Sequence, residues 1–446
     1  MPTQSQLFLH KFRNSWKWIL GTILILPLLR WLFLIPIDSR FSTFALVAKA
    51  LGQVTGIVGT LLFSFSLILS FRNRFIEIIF GGLDKLYNIH HKAGMYGLFL
   101  LLLHPILLSL PRLMYSVEDA MTFFIPFQTS TAVDFGIFSI LAFILLIGIT
   151  LFGVIFSYQA LKKFHIFLGL AFLLGAIHGF MIPSDIQNDA FIRVWVLGFA
   201  FLGLLSYIIY SLLKKFTVRK YTHNVSSVKK TEGGITEIFL TSNGDGIKHL
   251  PGQFAFFSFI NSKVVTDEVH PFTISSWEND GNIIISAKAL GDFTNLLPNV
   301  EIGTSVETEG PYGEFSYGYN GLKQVWVAGG VGVTPFVSFV EHILKQKELL
   351  YDIDFFYSVR TQNDLAFDEI FKKAAELFPS FKYHPMPSDT DGYITGSIIA
   401  EKVPGIIMRD IFICGPPAMM DFLVSSFIDI GINSKKIHSE KFSLLK

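Results

Sequence analysis

Six apolar stretches, each about 20 residues long, fill the first half of this chain, at roughly 16–36, 51–71, 87–110, 135–157, 164–182 and 191–213. A helix of that length covers the hydrocarbon core of a bilayer, so this half is expected to be a six-helix transmembrane bundle. Beyond about residue 215 the pattern changes to short alternating strands with ordinary charge density. The averages over 446 residues, 51% hydrophobic, 16% charged and a mean hydropathy of +0.50, therefore combine two unlike halves. A net charge of +1 gives no support for a nucleic-acid-binding surface.

Basic residues set the expected orientation. Lys11, Arg13 and Lys17 precede the first stretch, and Arg72, Arg74 and Lys85 lie between the second and third. Lys162 and Lys163 separate the fourth and fifth, and Lys214 and Lys215 follow the sixth. The alternate loops carry Asp38, Glu118, Asp119, Asp134, Asp185 and Asp189. The positive-inside rule then places both termini in the cytoplasm, with MPTQSQLFLHKFRNSWKW as a cytosolic tail leading into an uncleaved first span. The outer loops hold no N-x-S/T sequon, and Asn224 falls on the cytosolic side, compatible with a multi-pass protein of a bacterial plasma membrane.

A single cysteine, Cys414, rules out disulfides within the chain, a four-thiolate cluster and a CxxCH haem attachment. Any metal or haem must then be held by histidine. The third and fifth stretches read IHHKAGMYGLFLLLLHP and FHIFLGLAFLLGAIHGF, each with a histidine near either end. The two stretches run in the same direction, which pairs His90 or His91 with His165 at the cytosolic level, and His104 with His178 at the outer level. Fourteen residues span about 21 Å of helix, room for two haems stacked along the membrane normal. Two neutral imidazoles per iron give a low-spin, electron-transferring centre.

His90 shares a helix face with His104, whereas His91 lies about 140° away, so His90 is the expected ligand. Gly94 and Gly169, four residues after His90 and His165, are expected to leave space for the porphyrin. The thirteen-residue spacing of His165 and His178 puts them on different faces of an ideal helix and calls for a distortion near Gly169 or Gly175. Arg30 sits within the first stretch, where a charge needs a partner; a haem propionate, a watery crevice or snorkelling would each serve.

Strands TEIFLTS, GQFAFFSF, NIIISAKAL and TSVETEG, separated by Gly and Pro turns, predict a small antiparallel barrel. HPFTISS (270–276) and KALGDFT (288–294) follow two of them. The Thr273 hydroxyl and a glycine-opened turn at Gly291 suit a pyrophosphate or ribityl chain, although each motif also occurs in ordinary barrel turns. From about 319 the chain alternates strand and helix. QVWVAGGVGVTPF (324–336) runs an apolar strand into a glycine turn of the kind that wraps a pyrophosphate at a helix N-terminus. IDFFYSVR (353–360) ends with Ser358 and Arg360, where an adenosine ribose would lie; Arg360 either pairs with a 2′-phosphate or stands solvated at the strand end. IFICGPPAMM (411–420) is a third strand.

The paired histidines, the two turns in this order after PGQF (251–254), and EGPYG (309–313) together resemble the ferric reductase and NADPH oxidase family. That family carries two histidines on each of helices three and five with these spacings, the awkward one included, and His90, His104, His165 and His178 match. The resemblance implies a flavocytochrome in three parts: a six-helix di-haem domain (1–215), an antiparallel β-barrel FAD domain (216–318) and an α/β NAD(P)H domain (319–446) of ferredoxin-reductase type. It implies FAD contacts at His270, Pro271, Phe272 and Thr273, and at Lys288, Gly291, Phe293 and Thr294. Nucleotide contacts fall at Gly329, Gly330, Gly332, Thr334, Pro335, Ser358 and Arg360, with Cys414, Gly415 and Pro416 beside the nicotinamide. Phe442 matches the family's C-terminal aromatic, which stacks on the flavin and moves for nicotinamide to enter.

The implied activity is electron transfer from cytosolic NADPH, or NADH, through FAD and two b-type haems across the bilayer. A flavin accepts two electrons together and passes them on singly. The HPFT turn and the fused architecture resemble the oxidase branch, which favours oxygen as acceptor and superoxide as product. Chelated ferric iron, a partner oxidoreductase and a quinone are the other acceptors considered; nothing in the sequence requires a protein partner.

Overall fold

The computed structural model describes residues 4–71, 73–152, 158–213, 218–277 and 281–440. They form two compact units: Asn14–Ile76 with Lys85–Thr217, and Met1–Arg13 with Glu77–Asp84 and Val218–Lys446. Residues 4–13 and 77–84 count with the second unit. The reason is local to the second unit, where the Gly313 amide donates to Glu77 Oε1 at 2.6 Å and the His10 ring stacks on Tyr319 at 4.5 Å.

The first unit is helical. Its long helices are α1 (Trp16–Leu32), α2 (Phe44–Leu69), α3 (Leu83–Leu113), α4 (Thr131–Phe152), α5 (Tyr158–Met181) and α6 (Ala190–Tyr207). Among the described residues five helices, not the expected six, are long and apolar enough to cross a bilayer. The helix that falls short is α1. Its 17 residues end at Leu32, before Pro36, and proline disfavours helical conformation in the residue preceding it.

Arg30 finds a partner that none of the three sequence alternatives supplied. Its Nε and Nη2 donate to Asp189 Oδ2 at 3.0 and 2.7 Å. Asp189 also caps α6, its Oδ1 accepting from the Ile192 amide at 2.9 Å. One carboxylate therefore starts a helix and compensates the guanidinium of another.

Small residues bring the helices together, as expected where lipid removes the hydrophobic drive for association. A Cβ on Gly97 of α3 would lie 2.8 Å from the Phe63 amide of α2, and one on Gly203 of α6 2.9 Å from the Ser64 carbonyl. Phe63 then packs against Phe143 and Phe172, with ring centres 5.2 and 5.0 Å away.

The second unit holds two sheets. The antiparallel one contains β1 (Lys220–Lys230), β2 (Ile235–Ser242), β3 (Phe254–Ile260), β4 (His270–Thr273), β5 (Ile283–Lys288) and β6 (Ser305–Tyr312), in the order β4-β3-β6-β1-β2-β5. A bridge between Ile274 and Ile285 joins its two edges. Alternate residues such as Ile238, Leu240, Phe257, Phe259 and Val306 point into one apolar core.

The second sheet is wholly parallel: β7 (Lys323–Gly329), β8 (Asp352–Val359), β9 (Phe381–Pro387), β10 (Asp410–Cys414) and β11 (Ile437–Ser439), in the order β11-β10-β7-β8-β9. Parallel strands are covered on both faces, which explains their continuous apolar runs. Trp326 and Phe355 pack with Phe336, Phe339 and Phe371 on one face, and Val325, Val327, Ile411 and Ile413 pack with Met420 and Leu423 on the other. Strand order reverses between β7 and β10, and the crevice at such a reversal is where open α/β sheets bind nucleotides.

Candidate functional site

The four expected histidines meet in two pairs within the helical unit. The His90 and His165 rings lie 6.2 Å apart between centres, and those of His104 and His178 lie 6.4 Å apart, at interplanar angles of 71° and 70°. Two metal–imidazole bonds of about 2 Å, each extended by roughly 1 Å from nitrogen to ring centre, separate axial rings by about 6 Å. Both pairs therefore have the spacing that a shared iron requires. His91, next to His90, is exposed and belongs to neither pair.

Hydrogen bonds fix which nitrogen faces the gap. His90 Nδ1 donates to the Ser66 carbonyl at 2.8 Å, His104 Nδ1 to Gly52 at 2.7 Å and His178 Nδ1 to Ala132 at 2.7 Å. A proton held on Nδ1 leaves the Nε2 lone pair available to a metal. Sequence reasoning missed these acceptors. The signal that accompanies two of them is a glycine four residues on: a Cβ at Gly56 would lie 2.8 Å from His104 Nδ1, and one at Gly136 3.0 Å from His178 Nδ1.

Two sequence expectations need correction. Gly94 and Gly169 do not open a gap for a flat ring; their missing side chains admit Ser66 Oγ, 3.0 Å from a Cβ at Gly94, and the Tyr207 ring, 2.5 Å from one at Gly169. The thirteen-residue spacing brings no break, because Tyr158–Met181 is one α-helix and Gly175 accommodates Ser139.

The flavin-motif residues also come together, at one end of the barrel. The His270 ring stacks on Phe293 at 3.8 Å, joining HPFT to KALGDFT, and Phe272 lies 6.5 Å from the same ring. Pro271 and Thr273 pair with Phe256 and Phe254 across β3, and Thr273 is buried. Lys288 ends β5 opposite Ile235. The turn at Gly291 differs from expectation. Thr294 Oγ1 accepts from the Leu290 and Gly291 amides at 3.0 Å each, so these donors are satisfied within the turn instead of facing a phosphate.

The nucleotide motifs converge at the strand-order reversal. Gly330 has φ +53°, a left-handed conformation that glycine adopts without strain. A Cβ on Gly332 would lie 2.5 Å from the Cys414 carbonyl oxygen, and one on Gly415 3.1 Å from Gly329 Cα. The loops after β7 and β10 thus touch through backbone alone. Thr334 and Pro335 open the following helix, Thr334–Leu344, and Pro416 precedes another, Pro417–Asp429. Ser358 lies beside Gly329 in the sheet, and Arg360 just beyond it is exposed. Cys414 is fully buried, and burial pushes its thiol well above the usual range, which keeps it protonated. Phe442 lies outside the described residues.

Comparison with known proteins finds three family matches along the chain. The profile of the ferric reductase like transmembrane component matches residues 55–176, that of an FAD-binding domain 221–316, and that of the oxidoreductase NAD-binding domain 326–425. NADH-cytochrome b5 reductase 1 of Dictyostelium discoideum is 29% identical over 213 residues, covering 45% of this chain and 73% of that protein. The flavohemoprotein of Rhizobium meliloti is 26% identical over 237 residues, 48% of this chain and 58% of its own length. Among solved structures, flavohemoglobin from Malassezia yamatoensis, determined with bound FAD and heme, shares the fold with a TM-score of 0.50 at 16% identity, over 89% of this chain and 98% of that one.

The backbone contact at the crevice makes a prediction. Gly332→Ala places a methyl against the Cys414 carbonyl and forces the two loops apart. Nucleotide affinity, measured by titration, is expected to fall at least tenfold, while the FAD content of the purified protein stays unchanged.

Proposed function

We propose that this chain, an oxidoreductase of the NADPH oxidase and ferric reductase-like architecture, moves electrons from cytosolic NAD(P)H through FAD and two b-type haems to oxygen on the outer face, giving superoxide. Its membrane component, FAD-binding domain and NAD-binding domain follow one another in that order. The observation that carries the reading is the pair of histidine gaps, 6.2 and 6.4 Å between ring centres, set on helices α3 and α5. His90 and His165 would hold one haem and His104 and His178 the other. Between hydride donor and haems, FAD supplies the conversion of a two-electron input into single-electron steps.

The protein's own part is positioning. The Ser66, Gly52 and Ala132 carbonyls hold Nδ1–H on their histidines, which would leave Nε2 free to hold an iron. The glycine loops after β7 and β10 let a dinucleotide approach the backbone, and buried Cys414 shapes that wall as a neutral thiol. Arg360, exposed past the end of β8, receives the 2′-phosphate of NADPH. In the bilayer of a plasma membrane α1 makes the sixth crossing; its 17 residues reach about 26 Å, short but within the usual range. Both termini and the reductase domains then lie in the cytoplasm, with domains at 1–215, 216–318 and 319–446 and no obligatory protein partner.

Haem stoichiometry and register are tested together. Pyridine haemochrome titration is expected to give two haems per chain; His90→Ala should retain one and His91→Ala both. Loss of a haem on replacing His91 instead would show the register to be wrong.

The acceptor is tested with purified protein, FAD and NADPH and no other protein. Superoxide should form at twice the rate of NADPH consumption, since each hydride carries two electrons and each superoxide takes one. Intact haem spectra with no superoxide, but direct reduction of ferric chelate or a quinone, would replace oxygen by that acceptor.

Arg360→Ala is expected to raise the KM for NADPH at least tenfold and leave that for NADH nearly unchanged, because the guanidinium has a partner only when the 2′-phosphate is present. Equal changes for both nucleotides would remove Arg360 from this role.

A further inference from the structure

At the end of the helical unit that carries His104 and His178, an arginine is buried. Arg40, on the short helix Ile37–Phe41, is only 4% exposed. Its Nη2 donates to the Trp31 carbonyl at 2.9 Å, and its Nη1 to Asp185 Oδ2 at 3.1 Å and Gln53 Oε1 at 3.4 Å. The guanidinium carbon lies 3.9 Å from the centre of the Trp31 ring.

Three buried donors have no acceptor among the described residues: Arg40 Nε and Trp31 Nε1, on side chains that stack on each other, and Ser184 Oγ, on the residue before Asp185. Buried donors are nearly always satisfied, and three in one cluster call for an acceptor with more than one oxygen. The cluster is also tied to both histidines of one level. Gln53 follows Gly52, whose carbonyl accepts from His104, and Ser184 lies just past the end of α5, which carries His178. Arg30 is already engaged by Asp189 through Nε and Nη2.

We propose that Arg40 Nε, Trp31 Nε1 and Ser184 Oγ form the receptor for a propionate carboxylate of the haem held by His104 and His178. The inference rests on the haem reading above. It assigns to Arg40 the role that Arg30, by its place in the first apolar stretch, had been a candidate for. The carboxylate accepts from all three donors. Asp185, a quarter exposed and using one oxygen on Nη1, neutralises the other side of the guanidinium. A propionate so held keeps its charge compensated, and this sets the potential of that haem. Removing a donor leaves more uncompensated negative charge beside the iron, favours the ferric state and lowers the midpoint potential.

The test uses the full-length protein in nanodiscs, with haem carrying carbon-13 in its propionates. Trp31→Phe and Ser184→Ala each remove one donor and no charge; Arg40→Gln removes the charge as well. The haem concerned is identified as the one lost in His104→Ala. In Trp31→Phe and Ser184→Ala, two haems per chain should remain, the midpoint of that haem should fall, and its labelled carboxylate band in the redox infrared difference spectrum should shift. Arg40→Gln should lower haem content from two per chain towards one. If water alone satisfies these donors, the potentials and the labelled band stay at wild-type values in Trp31→Phe and Ser184→Ala, and the proposal is overturned even if Arg40→Gln fails to assemble. Wild-type protein lacking a Soret band would instead refute the haem reading on which this inference rests.

Discussion

The helical unit depends on a hydrogen bond that a helix does not ordinarily have room to make: a histidine Nδ1–H donating to a carbonyl already committed to the helix ladder. The Gly52 carbonyl, inside α2, is the ladder acceptor for residue 56, and the same oxygen takes His104 at 2.7 Å. For the imidazole to enter from the side, residue 56 cannot carry a Cβ, which would lie 2.8 Å from Nδ1; it is glycine. Helix α4 repeats the device with Ala132, Gly136 and His178. At the other level no glycine is needed. His90 donates to the Ser66 carbonyl, in the last turn of α2, an oxygen that also accepts from the Ser70 amide of the C-cap at 3.2 Å. Helix-bound carbonyls thus fix the orientation of three imidazoles, and with it the spacing of both ring pairs.

This explains which parts of the site could be read from the sequence. The pairing of His90 with His165 and of His104 with His178 follows from span direction and depth, both set by apolar length and by the basic loops, and it needs no knowledge of side-chain contacts. The choice of His90 over His91 follows from helical phase. What Gly94 and Gly169 face depends on which helix lies alongside, and that is tertiary information: Ser66 and Tyr207 occupy those sides. Arg30 is the same case. Its partner, Asp189, is more than 150 residues away in sequence and already needed as a helix cap, a double use that composition cannot reveal. The Gly291 turn differs for a nearer reason: Thr294, inside the motif itself, accepts from the Leu290 and Gly291 amides.

In the second unit the sequence was more informative, because its strongest signals are strand–turn–helix junctions whose geometry is local. A strand of Val, Trp and Ala running into GGVGVTP leaves little choice of turn, and the parallel order β11-β10-β7-β8-β9 then puts Cys414 and Gly415 beside that turn. The identity of the contact was not legible. Gly332 meets the Cys414 carbonyl oxygen, so the requirement at 332 comes from a chain segment some eighty residues later. Cys414 itself is buried in the apolar cluster of Trp326, Ala328, Val333 and Phe412, and burial raises its thiol well above the usual range. Cysteine at this place contributes volume and softness to the packing as a neutral thiol.

The two units reach specificity by the same economy of side chains. Oriented backbone groups are fixed dipoles that need no ionisable residue, which matters in a bilayer, where each added charge is expensive. Where the helical unit carries charge, it pairs it at helix ends: Arg30 with the buried cap of α6, and buried Arg40 with Asp185 after α5. The crevice of the parallel sheet follows the same pattern with glycine in place of histidine: a glycine turn leads into a helix N-terminus, an arrangement suited to an anion. A chain that moves electrons without forming bonds to its substrate needs distance and orientation held constant more than it needs reactive side chains. Backbone acceptors, glycine clearances and paired helix-end charges supply that constancy, and these are the features on which the two ring pairs and the crevice rest.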